Sequence, residues 1–129
     1  FLKSMVVIDS SVLIALFRKN DHHHEEAKRL IAESDGCILI DYILAETLTV
    51  LKLREGLEAA QKCSEFLLNS SLFSLKYTKP ALFKETLSFY RRHDNTLSFV
   101  DTLLLLFHQR TRMPILTFDR ELSSKASRS

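Results

Sequence analysis

Apolar positions along the chain follow two alternating rhythms. MVVID (5–9), CILID (37–41), LFSLKY (72–77) and MPILTFD (113–119) are short apolar runs that read as strands. Between them the apolar residues fall three and four apart, the spacing of one helix face. Residues 10–19 place Val12, Leu13, Leu16 and Phe17 on such a face, and residues 22–33 place Ala27, Leu30 and Ile31, with Gly36 following. The helix expected over 42–56 packs through Ile43, Leu44, Thr47, Leu48 and Leu51 and is stopped by Gly56; another helix covers 56–70. Pro80, suited to a first helical turn, opens a helix expected to run to Asp94. LSFVDTLLLLFHQRT (97–111) is apolar almost all round, which predicts a helix buried between other elements. RELSSK begins a last helical turn, and residues 123–129 read as a polar tail.

Short strands alternating with helices predict βα units and a parallel sheet covered on both faces, an α/β fold. The 129 residues form one domain, long enough to bury roughly two thirds of the unfolded surface around a single core. Residues 1–4 precede Met5 and read as an appendage outside it. At 46% hydrophobic and 26% charged the chain is globular rather than disordered. Two glycines and two prolines are too few for an all-β protein with many tight turns. The net charge of +2 permits a polyanionic partner without demanding one. Cys37 and Cys63 are far apart and form no CxxC, so a reduced, cytoplasmic chain is expected. No apolar run approaches the ~20 residues that span a bilayer, and the start lacks the layout of a cleavable signal, so no membrane partner is expected.

In open parallel sheets ligands bind beyond the carboxyl ends of the strands. Asp9 ends the first strand and Asp119 the last, while Glu46 lies one turn into the helix after the second strand and Asp101 near the start of the apolar helix. Four acids spread over the chain are therefore expected at one rim. Each also has a plainer reading. Asp9 and Asp119 are good helix N-caps, Ser98 to Asp101 has capping-box spacing, Asp41 suits the start of its helix, and an exposed Glu46 needs no explanation. The combination favours a shared site, because Asp101 is hemmed by Leu97, Phe99, Val100, Leu103, Leu104 and Leu105, and a part-buried acid needs a cation or donors.

With these residues in view, VVIDSSVLIALF resembles the opening of a PIN domain, LAETLTVL its second acidic motif, LSFVDTLLLLF its third and ILTFDREL its fourth. The resemblance spans Met5 to about Leu122. It implies a three-layer α/β/α sandwich with a short central parallel sheet and a divalent-metal nuclease site. Carried over motif by motif, Asp9, Glu46, Asp101 and Asp119 would bind Mg²⁺ or Mn²⁺ and catalyse, with Ser10 and Thr117 supporting them. Small stand-alone proteins of this kind are most often VapC-type toxins, which implies RNA as substrate, a cognate antitoxin and a homodimer, with an interface expected on the helices 42 to 70. The family pattern also carries one more strand after the last acid, where this chain reads RELSSKASRS.

The chemistry agrees. Phosphodiester hydrolysis needs an activated water and stabilised charge on the attacking and leaving oxygens, which a hard cation provides. Such cations take carboxylate ligands, and clustered carboxylates repel one another until a cation neutralises them. Lys52, Arg54, Lys76, Lys79, Arg91, Arg92, Arg110 and Arg112 are available for phosphates, or are ordinary solvated helix faces. His22, His23 and His24 point about 100° apart on a helix and cannot face one ion together. The nine Phe and three Tyr fall mostly on apolar faces and are expected in the core, not as a base-stacking platform. Two alternatives stay open: a related fold that binds RNA or protein without catalysis, and a phosphoacceptor signalling domain. The latter lacks an acceptor Asp in SLKYTKP and a Lys after the last strand, where TFDREL has Asp-Arg.

Overall fold

A computed structural model describes residues 4–129; residues 1–3, most of the expected N-terminal appendage, lie outside it. The elements follow the order β1 (Met5–Ile8), α1 (Ser10–Phe17), α2 (His24–Ala32), β2 (Gly36–Ile40), α3 (Asp41–Glu55), α4 (Leu57–Asn69), β3 (Phe73–Lys76), α5 (Pro80–Tyr90), α6 (Phe99–Thr111), β4 (Ile115–Leu116) and α7 (Arg120–Ser127). The strands form one parallel sheet ordered β3-β2-β1-β4, with Val7 opposite both Ile38 and Ile115. The chain steps outward from β1 to β3 and returns to the other side of β1, so strand order reverses between β1 and β4. Helices α1 to α4 pack against one another on the outward steps, and α5 to α7 pack together on the return. Right-handed crossovers put these two groups on opposite faces, giving three layers.

The expected elements are present, and several of their ends differ. Strand β4 has two residues instead of seven, because only Ile115 and Leu116 find ladder partners on β1. Helix α5 ends at Tyr90, four residues short of Asp94; the Arg92 guanidinium turns back onto the Asp94 carboxylate at 3.0 and 3.1 Å, and Asn95 N–H bonds to the Arg92 carbonyl. Helix α6 starts at Phe99, since Ser98 caps it by accepting the Asp101 N–H at 3.1 Å. The residues read as a polar tail are helical to Ser127, anchored by the fully buried Leu122 and capped by Asp119. Among the described residues no strand follows Asp119.

Strand β2 is buried along its whole length, and Val7, Ile8, Leu13, Leu39, Ile43, Leu51, Leu103 and Leu104 form the centre of the core on both sides of the sheet. Both cysteines are buried there, unpaired; burial pushes the Cys63 thiol up to about 12, so it stays protonated. Gly36 opens β2 at the amino edge of the sheet with φ +147°, and an added Cβ would meet Met5 Sδ at 3.0 Å and the Leu72 carbonyl at 3.3 Å. Gly36→Ala is therefore expected to lower unfolding stability by about 1–3 kcal/mol, read by urea denaturation. Because this edge is opposite the acids, folded protein should keep its site chemistry.

Candidate active site

The reversal of strand order places the carboxyl ends of β1 and β4 side by side, and Asp9 and Asp119 leave from them. Asp9 occupies the N-cap position of α1, yet its side chain caps nothing. Its Oδ2 instead accepts two hydroxyls, Ser11 Oγ and Thr117 Oγ1, each at 2.7 Å. No hydrogen bond from the described residues reaches Oδ1. The backbone N–H of Asp9 bonds to the Leu116 carbonyl at 2.9 Å, which seats β4 against the turn. The capping expected of Asp9 is thus corrected: neighbouring hydroxyls capture the carboxylate and hold it toward the strand ends.

Thr117 Oγ1 also accepts the Asp119 N–H at 2.9 Å, and Ser11 Oγ accepts the Phe118 N–H at 3.0 Å. The sequence marks Ser11 only as part of a helix start. The signal was the second hydroxyl of the Asp-Ser-Ser triplet, but its partner lies 107 residues away and is supplied by folding. Ser10 turns the other way and donates to Glu46 Oε1 on α3. Asp119 does cap its helix, with Oδ1 accepting the Leu122 N–H at 3.0 Å. Asp41 is the first residue of α3 rather than its N-cap; it accepts Thr78 Oγ1 at 2.7 Å and Thr78 N at 3.2 Å, tying the helix start to the segment after β3.

Asp101 feels the charge of the other three acids. Its carboxyl is pushed up to about 6, first by burial and then by the negative charges of Asp9, Asp119 and Glu46, with Ser98 opposing. Among the described residues no Lys, Arg or His forms an ion pair with any of the four. Among those residues no three acidic, His or Cys side chains stand close enough, as placed, to hold a metal ion together. Four carboxylates, one of them 3% exposed with an oxygen to spare, fit a hard divalent cation by donor chemistry. Thr117→Val tests the support. The variant leaves the Asp119 N–H unpaired, an expected loss of about 1–3 kcal/mol in thermal unfolding. It should also weaken Mn²⁺ affinity by about 10–100-fold, read by calorimetry.

The PIN domain family model matches residues 6–127. The chain belongs to the PIN domain family. Similar solved structures include VapC20 of Mycobacterium tuberculosis, described as a sarcin-ricin loop cleaving toxin, at 26% identity and a TM-score of 0.83, covering 92% of this chain and 93% of that one. FitAcB of Neisseria gonorrhoeae, 17% identical with a TM-score of 0.68 over 95% of this chain and 94% of that one, shares the fold. No curated protein sequence matches the chain.

Within this PIN domain the eight expected phosphate contacts separate. Arg54 and Arg110 sit at the far ends of α3 and α6, about 12 Å beyond Glu46 and about 14 Å beyond Asp101 along the helix axes. Lys52 and Arg112 sit with them, so these four do not flank the acids. Lys76 and Lys79 line a groove of about 420 Å³ with Arg110, whose guanidinium is paired to Glu85. Arg91 and Arg92 follow α5 toward the start of α6; Arg92, paired to Asp94, lines a groove with Leu105, Gln109 and Lys125. The three histidines do not diverge along one helix as expected: only His24 lies in α2, with Nδ1 2.8 Å from the Ala15 carbonyl, while the His22 and His23 rings meet at 4.0 Å in the preceding turn and His23 also stacks on Phe118 beside Asp119 with ring centroids 4.4 Å apart.

Proposed function

We propose that this PIN domain is a Mg²⁺- or Mn²⁺-dependent ribonuclease that hydrolyses RNA phosphodiester bonds, leaving 5′-phosphate and 3′-hydroxyl ends, and serves as the toxin of a type II toxin-antitoxin pair. The observation that carries the reading is the placing of three other carboxylates near enough to act on the half-buried Asp101, with no ion pair to any of the four among the described residues. When bound, a divalent cation supplies charge neutralisation at the phosphate and activation of the attacking water. Asp9 and Asp101 would hold it directly; the two hydroxyls on Asp9 Oδ2 fix that carboxylate and leave Oδ1 to ligate. Glu46, oriented by Ser10, and Asp119, oriented by its own cap, would complete the donor set or accept a proton from the attacking water.

Similarity to a toxin that cleaves the sarcin-ricin loop supports RNA as substrate and a cognate antitoxin as partner. Among the described residues no helix is long and apolar enough to cross a membrane, and the proposed toxin would act on RNA in the cytoplasm. Leu53 on α3 and Leu57 and Leu68, which share one side of α4, are exposed and would supply the face for a homodimer, measured by light scattering. Activity is tested by Mn²⁺ titration calorimetry together with cleavage of single-stranded RNA. Binding heat and metal-dependent cleavage are expected. Metal binding with intact RNA would leave a binding module; neither heat nor cleavage would end the enzyme reading.

A further inference from the structure

Four aromatic rings from three helices meet at the acidic end of the fold. Phe99, in the first turn of α6, contacts Phe83 and Tyr90 of α5 with centroids at 5.4 and 5.7 Å and Tyr42 of α3 at 6.0 Å. Tyr42 lies one helical turn before Glu46, and Phe99 lies two residues before Asp101. The rings thus stand on the same helix starts that deliver two of the four acids. They are not wholly core, contrary to the expectation from their apolar spacing: Tyr42 is 36% and Tyr90 44% exposed. The Asp41 carboxylate, clamped to Thr78, fixes the backbone beside Tyr42.

Arg91 follows Tyr90 directly and forms no ion pair among the described residues, and the Arg92 guanidinium lies over the Phe89 ring at 5.1 Å. Of the acids nearby, Asp94 is paired with Arg92 and Glu85 with Arg110, while Asp41 keeps its charge and is held by the Thr78 hydroxyl and N–H. Aromatic rings beside an arginine without an ion pair suit a strand of unpaired bases, whose π-faces stack while a phosphate meets Arg91. A duplex hides those faces. A second copy fits less well, because a twofold contact through this patch would bring the arginines of both chains together.

We infer that the Tyr42, Phe99 and Tyr90 cluster is a base-stacking shelf that binds single-stranded RNA beside the acidic site, seating a nucleotide next to the scissile phosphate. This rests on the proposed ribonuclease reading and names how its substrate is held.

The chain contains three tyrosines and no tryptophan, so its ultraviolet emission is tyrosine emission. Tyr77, exposed on the groove with Lys76 and Lys79, is silenced by Tyr77→Phe, and cleavage is blocked by Asp9→Asn. In Mg²⁺, an unstructured oligouridylate is expected to quench the remaining emission, with a blunt RNA duplex causing far less. Labelled oligouridylate followed by anisotropy should lose about 10-fold in affinity for each of Tyr42→Leu and Tyr90→Leu, while Tyr42→Phe keeps it. Leucine preserves apolar bulk, and circular dichroism checks the fold. Binding without quenching, and unchanged by the leucine variants, would overturn the shelf while leaving the nuclease reading intact. Dimers that become monomers in Tyr90→Leu, with RNA affinity unchanged, would make the patch an interface between copies. No RNA binding by this protein, together with no cleavage by the unsubstituted chain, would overturn both readings.

Discussion

Asp9→Asn is expected to leave the protein folded and to lower metal-dependent RNA cleavage by about two orders of magnitude or more, since changes outside the ligand set already cost about 10–100-fold. The amide oxygen can still accept the Ser11 and Thr117 hydroxyls, so the lattice joining β1 to β4 survives. The negative charge that draws the cation is gone. Removing it also relieves Asp101 of one of its repelling neighbours, so the melting temperature without metal should hold or rise. The measurements are thermal unfolding in EDTA, Mn²⁺ calorimetry and a gel assay of RNA cleavage. Unchanged cleavage would reduce Asp9 to a residue that orders a turn.

Asp101→Asn is expected to separate stability from function. In the folded chain without metal the Asp101 carboxyl titrates at about 6, above its ordinary value of 3.8. A raised carboxyl favours the folded state fully below the ordinary value, and that contribution is lost as pH rises through about 6. The metal-free protein should therefore lose stability between about pH 4 and pH 6 through this group. One pKa unit corresponds to about 1.4 kcal/mol, and solvent screening of a half-buried group reduces the loss to on the order of 1–2 kcal/mol. Asn carries no charge to repel, so the variant should be more stable than the parent at pH 7.5 in EDTA, with that difference shrinking toward pH 4. The same variant should lose metal-dependent cleavage. Urea denaturation at both pH values, with and without Mn²⁺, reads the sign directly, because Mn²⁺ should stabilise the parent and not the variant. A variant less stable than the parent at pH 7.5 would mean that the acids are not under mutual repulsion.

The hydrophobic rhythm was sufficient to read the order of strands and helices, because burial of a strand or a helix face is written in near neighbours. Element ends were less readable. The two-residue β4 depends on how far Ile115 and Leu116 reach along β1, and the early end of α5 depends on the Arg92–Asp94 turn. The four acids were legible as candidates from their place after strands and at helix starts. Whether each acted as a cap was not. Asp9 and Asp119 look alike in sequence, yet Asp119 caps α7 while Asp9 is captured by Ser11 and Thr117. The aromatic residues were misread for a related reason: Tyr42 and Tyr90 sit at apolar helical spacing, but their helices meet at the edge of the fold instead of beneath another layer.

By itself the sequence determined the α/β class, the PIN domain resemblance and the identity of the four acids, because all three rest on local periodicity and on motifs of a few residues. Only the tertiary structure decided that Asp9 and Asp119 meet at the β1–β4 reversal, that Ser11 and Thr117 join across it, and that Tyr42, Phe99 and Tyr90 form one partly open patch. Those facts involve residues up to 108 positions apart. Electrostatic coupling and ring contact depend on distance in space, which chain separation does not encode until the sheet has ordered the strands.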